Sequence, residues 1–193
     1  MLKLTRRSIA ILFAFVVGAA CAQEKPHADT GTRRSESVPT LDRHPDWMVT
    51  PRGFGPLHAG MTRAEAEAVV GGSLAVNGDS AWTDCGYVPA DRLPSGVRVM
   101  VEAGTVARID IESRTITTTE GARIGDSEDR IRQLYPTRVV ATPHKYTAGQ
   151  YLTVRPAADA DSQFRLVFET DSGRVTRYRA GRVPPVEYVE GCS

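Results

Sequence analysis

Lysine is nearly missing from this 193-residue chain, occurring only as Lys3, Lys25 and Lys145, although lysine and arginine together number 24. With 23 acidic residues against them and a net charge of +1, no concentrated basic surface of the kind that nucleic acid demands is expected. The arginine skew suggests a GC-rich bacterial genome rather than phosphate recognition. Cysteine is also scarce, at positions 21, 85 and 192, and none lies in a C-x-x-C arrangement that would depress a thiol pKa. No apolar run is long enough to span a bilayer, the longest uninterrupted one being the nine residues Ile9–Val17. Phosphate-binding loops, dinucleotide glycine fingerprints and nucleophile elbows are absent as well, so the common nucleotide and hydrolase chemistries have no signature to stand on.

What is present begins at the N-terminus. Lys3, Arg6 and Arg7 precede the short apolar run, and Gly18, Ala19, Ala20, Cys21 and Ala22 follow it. A cationic start, a brief apolar middle and a small-residue exit predict a secretory signal peptide over residues 1–22. Thr5-Arg6-Arg7-Ser8-Ile9 resembles a twin-arginine signal, from which Ala10 departs, and general secretion is the expected route. Export leads to a disulfide-permissive compartment, here the periplasm, and predicts that Cys85 and Cys192 pair. Cys21 has several fates. Val17-Gly18-Ala19-Ala20-Cys21 resembles a lipobox, which implies lipidation of Cys21 and anchoring at the outer membrane. Ala20-Cys21-Ala22 instead fits an A-x-A cleavage site that discards Cys21 with the leader. Cleavage after Ala20 would leave an odd thiol.

Residues 23–43 balance Lys25, Arg33, Arg34 and Arg43 against Glu24, Asp29, Glu36 and Asp42, with hardly any large apolar side chain. Such a segment cannot bury enough surface to offset its ordering entropy and reads as a flexible tether. The remaining 44–193 are enough for one domain or two small fused units.

Self-similarity favours two units. Thr62 and Glu65 have capping-box spacing, Ala66, Val69 and Val70 share a face, and Gly71 supplies a left-handed stop. Sixty-five residues later Ser127 caps a second helix with Ile131, Leu134 and Tyr135 on its apolar face, ended by Pro136. A hairpin follows each helix: Val97–Glu102 with Gly104 and then Val106, Arg108 and Ile109; Phe164–Glu169 with Gly173 and then Val175, Arg177 and Tyr178, its loop two residues longer. Trp82–Pro89 and Tyr146–Arg155 are candidate further strands. The expected fold is α+β, in two tandem repeats over 44–114 and 115–193, each a short helix packed on a small antiparallel β-meander.

The segment Gly60-Met61-Thr62-x-x-Glu65, closed by a glycine, resembles the helix motif of small outer-membrane assembly lipoproteins of the SmpA/BamE type; Gly72 stands where that family has proline. Two helix-plus-sheet repeats in one exported chain are similar in layout to secreted β-lactamase inhibitory proteins. These resemblances imply protein binding through a sheet face without catalysis.

The chemistry-bearing residues are few. His27, His44, His58 and His144 are not at metal-ligand spacing, and the acidic turns at Asp159–Ser162 and Asp171–Gly173 lack the glycine and glutamate of a calcium loop, so no metal or cofactor is expected. His58, His144, Asp84 and Glu120 are loose candidates for an unfamiliar hydrolase, with nothing to join them. Period-two alternation places Arg98, Arg108, Arg165, Arg177 and Arg179 on the polar face of the hairpins, where a row of guanidiniums can grip an acidic partner. The same pattern fits a solvated face with cross-strand Arg–Glu pairs. The expected function is an exported, non-enzymatic protein-binding or envelope-assembly protein acting on an envelope or secreted partner. The alternative is a structural periplasmic domain.

Overall fold

The computed structural model describes residues 46–74, 80–88 and 91–192. The expected signal peptide over 1–22 with Cys21 and the tether over 23–43 lie outside them. In chain order the strands and helices are β1 (Val49–Thr50), β2 (Gly53–Phe54), β3 (Leu57–His58), α1 (Arg63–Val70), α2 (Ser80–Thr83), β4 (Cys85–Val88), β5 (Val97–Glu102), β6 (Thr105–Ile111), α3 (Glu128–Leu134), β7 (Val139–Pro143), β8 (Gln150–Val154), β9 (Phe164–Asp171) and β10 (Arg174–Arg182).

Local chemistry sets the ends of these elements. The Thr62 hydroxyl accepts from the Glu65 amide while the Glu65 carboxylate accepts from the Thr62 amide at 2.8 Å, so two orphan donors of α1 are satisfied reciprocally. Gly71 then closes α1 in the left-handed region. Ser127 caps α3 through the Arg130 amide. The two hairpins turn at Ala103-Gly104 and Ser172-Gly173, both pairs at positive φ, the conformation that suits a two-residue turn between twisted strands. The second loop is therefore not longer. Thr170 and Asp171 prolong β9 and pair with Val175 and Arg174 instead. Trp82 is likewise in α2, its indole N–H donating to the Leu74 carbonyl, and the strand expected at 82–89 begins only at Cys85.

The expected pair of helix-on-meander repeats is overturned by the junction in the middle of the molecule. One seven-stranded antiparallel sheet runs β4-β5-β6-β10-β9-β8-β7, and a separate three-stranded sheet is formed by β1, β2 and β3. β6 pairs with β10 through Ile111–Tyr178, Asp110–Arg179, Ile109–Ala180 and Arg108–Gly181. The outer strand of each hairpin would otherwise present an unpaired row of N–H and C=O groups, and pairing the two rows satisfies both. The described residues thus hold ten strands in two sheets, with α1, α2 and α3 only 8, 4 and 7 residues long. The chain is β-rich rather than α+β in two repeats.

The register explains the core. Val97, Ile111, Tyr178, Phe168 and Leu152 make one continuous row on the first face of the large sheet, and Val99, Ile109, Ala180, Leu166 and Val154 make the next. Against these rows pack Ala66 and Val70 of α1, Ile131 of α3, Tyr135 just beyond it, and Phe54 and Leu57 of the small sheet, all in one cluster. Each fully buried Val, Leu, Ile or Phe contributes about 1.5–3 kcal/mol, so this single shared core dominates stability.

Candidate functional site

The second face of the large sheet carries the alternate rows: Tyr87, Met100, Arg108, Gly181 and Arg165; then Arg98, Asp110, Arg179, Val167 and Thr153; then Arg177, Glu169 and Tyr151. It is not an open polar face, because the C-terminal tail beyond β10 lies across it. Val183, Val186 and Val189 of the tail pack on Tyr151 and Val167. Cys192 is bonded to Cys85 at the first residue of β4, which fixes the end of the tail to the sheet edge.

Two arginines hold the tail by its carbonyls. Arg108 donates from Nη1 to the carbonyl oxygens of Tyr188 at 2.6 Å and Pro185 at 3.2 Å, from Nη2 to the Tyr87 hydroxyl at 2.7 Å, and from Nε to Asp110 at 3.2 Å. Arg179 donates from Nε to the Val186 carbonyl at 2.6 Å and from Nη1 to Glu169. Their relative exposures are 4% and 3%. A rigid guanidinium fork suits this task, since its donors reach several fixed acceptors at once. Gly181 makes room for it: a Cβ there would sit 2.6 Å from Cβ of Arg108.

Glu169, 2% exposed, is the anionic centre of this layer. It accepts from Arg179 and, at 2.6 Å, from Nε of Arg177. Burial pushes its carboxyl up, but the Arg179 and Arg177 guanidiniums together outweigh that and hold it below the usual carboxylate range. His144 completes the group. Its Nδ1 accepts from the backbone N–H groups of Tyr146 and Thr147, so the proton sits on Nε2, which donates to Glu169 at 3.3 Å. The ring stacks on Tyr151 with centroids 4.4 Å apart. Both ring nitrogens are engaged and the carboxylate is doubly paired, so this group acts as a strut and is poorly suited to shuttle protons.

A cleft opens on each side of the tail. The first, of about 460 Å³, is bordered by Tyr87, Arg98, Asp110, Glu112, Arg177 and Glu190. Its charges are neutralised internally, by Arg98 with Glu112, Arg177 with Glu169 and Arg108 with Asp110. The Arg98 guanidinium also lies 4.0 Å from the Tyr87 ring centroid. The second, of about 520 Å³, lies between the tail and strands β7, β8 and β9. Val140, Tyr151, Val167 and Val189 give it an apolar lining, and Arg155 and Arg165 stand in it without a carboxylate partner among the described residues.

The five arginines singled out in the sequence do share this face, in three environments. Arg108 and Arg179 are buried tail clamps. Arg98 and Arg177 are exposed and paired with Glu112 and Glu169. Arg165 donates to the carbonyls of Ser162 and Phe164 and borders the second cleft. Arg155, not singled out, is signalled by its parity: it continues the alternation of Tyr151 and Thr153. The tail has a signal too, in valines recurring every third residue ahead of Cys192. Of the loose hydrolase candidates, His58 bonds the Gly55 carbonyl, Glu120 accepts from Tyr135, Asp84 precedes β4, and His144 alone meets a carboxylate. Among the described residues no group of three His, Cys, Asp or Glu side chains is placed to hold a metal ion.

Compared with protein-family models, with curated proteins and with solved structures, the chain matches none.

Proposed function

We propose that the protein is an exported, non-enzymatic binding protein of the cell envelope that engages a protein partner through the tail-bearing face of its sheet. The observation carrying this reading is the cleft beside β7, which combines an apolar lining with two arginines that have no carboxylate partner among the described residues. A partly apolar cleft bordered by guanidiniums without carboxylate partners is the chemistry of a recognition site. The locked state of His144 and Glu169 favours binding over catalysis. The leader over 1–22 puts the protein in the periplasm, and lipidation of Cys21 would hold it at the outer membrane. The likeness of Gly60–Glu65 to the assembly lipoproteins implies the same class of activity.

Site-specific photo-crosslinking tests the reading. A photoreactive residue at Val140, which is 42% exposed at the cleft, captures an envelope or secreted protein, and one at Ala64 on the outer side of α1 does not. No adduct from Val140, or equal adducts from both positions, refutes it. Intact mass of the exported protein settles its attachment: a diacylglyceryl adduct on Cys21 means anchoring, whereas a chain starting at Gln23 rules it out.

A further inference from the structure

The sheet offers a partner two routes near this cleft, its free edge or its face. β7 is an edge strand, and the phase of its ladder follows from two bonds: Arg155 N–H to the Arg138 carbonyl and His144 N–H to the Gly149 carbonyl. Residues 138, 140, 142 and 144 therefore spend their backbone groups on β8, and Val139, Ala141 and Pro143 face outward. Pro143 has no N–H to give, so the outward row ends after two donors. The edge is blunted against strand addition.

The face beside it is different. Apolar area from Val140 and Val189, over a floor of buried Tyr151 and Val167, lies beside positive charge from Arg155 and Arg165, and a single carboxylate, Glu187, joins the lining. The other two cations there are already engaged, Lys145 by Glu190 and Arg179 by Glu169. The neighbouring cleft across the tail lacks this imbalance, its arginines being paired.

From this contrast we infer that the β7-side cleft recognises an acidic segment of the partner protein, a short peptide stretch that alternates carboxylates with apolar side chains. The carboxylates meet Arg155 and Arg165, and the apolar residues meet Val140 and Val189 at the mouth of the cleft. The inference rests on the proposed partner-binding role and specifies its chemistry. At about 520 Å³ the cleft falls within the usual range of ligand sites.

The test uses the exported, disulfide-bonded protein and two fluorescent peptides, one alternating glutamate with leucine and phenylalanine, the other with lysine in place of glutamate. The acidic peptide binds saturably and more weakly as salt rises to about 0.5 M, because exposed charges are screened. The pair Arg155→Glu and Arg165→Glu weakens it about tenfold or more, whereas Arg98→Glu in the other cleft changes it less than about twofold. Arg155→Gln with Arg165→Gln gives an intermediate loss, and thermal melts confirm that each variant is folded. Equal binding of both peptides, or equal sensitivity to Arg98→Glu, overturns the inference. So does displacement-sensitive binding of laurate with no peptide binding, which would mark a small-anion site. The two readings fail separately. A partner captured at Val140 through a segment without acidic residues overturns the acidic chemistry alone, and absence of any partner overturns the role.

Discussion

Replacing Glu169 by glutamine removes one charge from the most crowded polar cluster of the molecule and leaves its shape almost unchanged. Three donors converge on that carboxylate: Nη1 of Arg179, Nε of Arg177 and Nε2 of His144. Glutamine offers one acceptor oxygen and turns an NH₂ toward the remaining donors, while Arg179, 3% exposed, keeps its charge with only Asp110 opposite it, a carboxylate already bound to Arg108. Removing one member of a buried pair costs about 3–5 kcal/mol. Arg177 is half exposed and recovers some hydration, so the lower end applies, about 3 kcal/mol or about 6–12 °C in Tm. The pH profile separates this from a packing defect. The folded pKa of Glu169 lies below its unfolded value of about 4.3, so its contribution is complete above that pH and is lost as the pH falls toward the folded value. Wild-type stability measured by urea unfolding should therefore fall more steeply than that of Glu169→Gln over this acid range. Glu169→Leu combined with Arg179→Met should recover part of the loss, with a coupling energy above about 1 kcal/mol. A loss under about 1 kcal/mol, or parallel profiles for wild type and Glu169→Gln, refutes the account.

Cys85→Ser with Cys192→Ser opens a loop with a sequence separation of 107 residues, and the chain-entropy ceiling is about 4–5 kcal/mol. The expected loss is about 2–4 kcal/mol, with amide exchange accelerated at residues 189–192 but not at Tyr188, because Arg108 still holds its carbonyl. Gly181→Ala drives a Cβ into Arg108 and should cost about 1–3 kcal/mol, with faster exchange of the Tyr188 amide as the specific readout. Tyr135→Phe removes a buried hydroxyl that bonds Thr118 at 2.7 Å and reaches Glu120 at 3.1 Å; a loss of about 1–2 kcal/mol in unfolding free energy, measured by urea titration, is expected.

Features governed by neighbours in sequence were readable beforehand. The Thr62 and Ser127 caps, the left-handed Gly71 stop and the glycine turns depend on a handful of consecutive residues, and each is present. Strand parity also sorted Val97, Val99, Phe164 and Leu166 onto one face and the arginines onto the other. The merging of both hairpins into one sheet was not readable, because it depends on which outer strand meets which, a non-local choice between β6 and β10. β7 escaped notice because Val139-Val140-Ala141-Thr142-Pro143 has no alternation and ends in a residue that demotes a strand. Burial of Arg108 and Arg179 was unreadable for a related reason: the valines at every third residue of the tail mark it as apolar on one side, but which sheet face they cover is a non-local choice.

That cover decides which arginines are available to a partner. For Arg108 to meet an external carboxylate, the Tyr188 and Pro185 carbonyls would have to leave it, and the tail could leave only by swinging about a point fixed at Cys192. Charge-assisted bonds of this kind contribute about 1.5–3 kcal/mol each, and Arg108 and Arg179 make three of them to the tail. An exposed ion pair with a partner returns only about 0.2–1 kcal/mol, so exchange of tail for partner is unfavourable at these two positions. Arg155 carries no such cost among the described residues, and Arg165 spends only Nη1, on the carbonyls of Ser162 and Phe164 close to it in sequence, which leaves Nε and Nη2 to a partner. The face therefore divides by what the tail already occupies. Its centre holds the protein together, and its β7 side is where the proposed acidic segment docks.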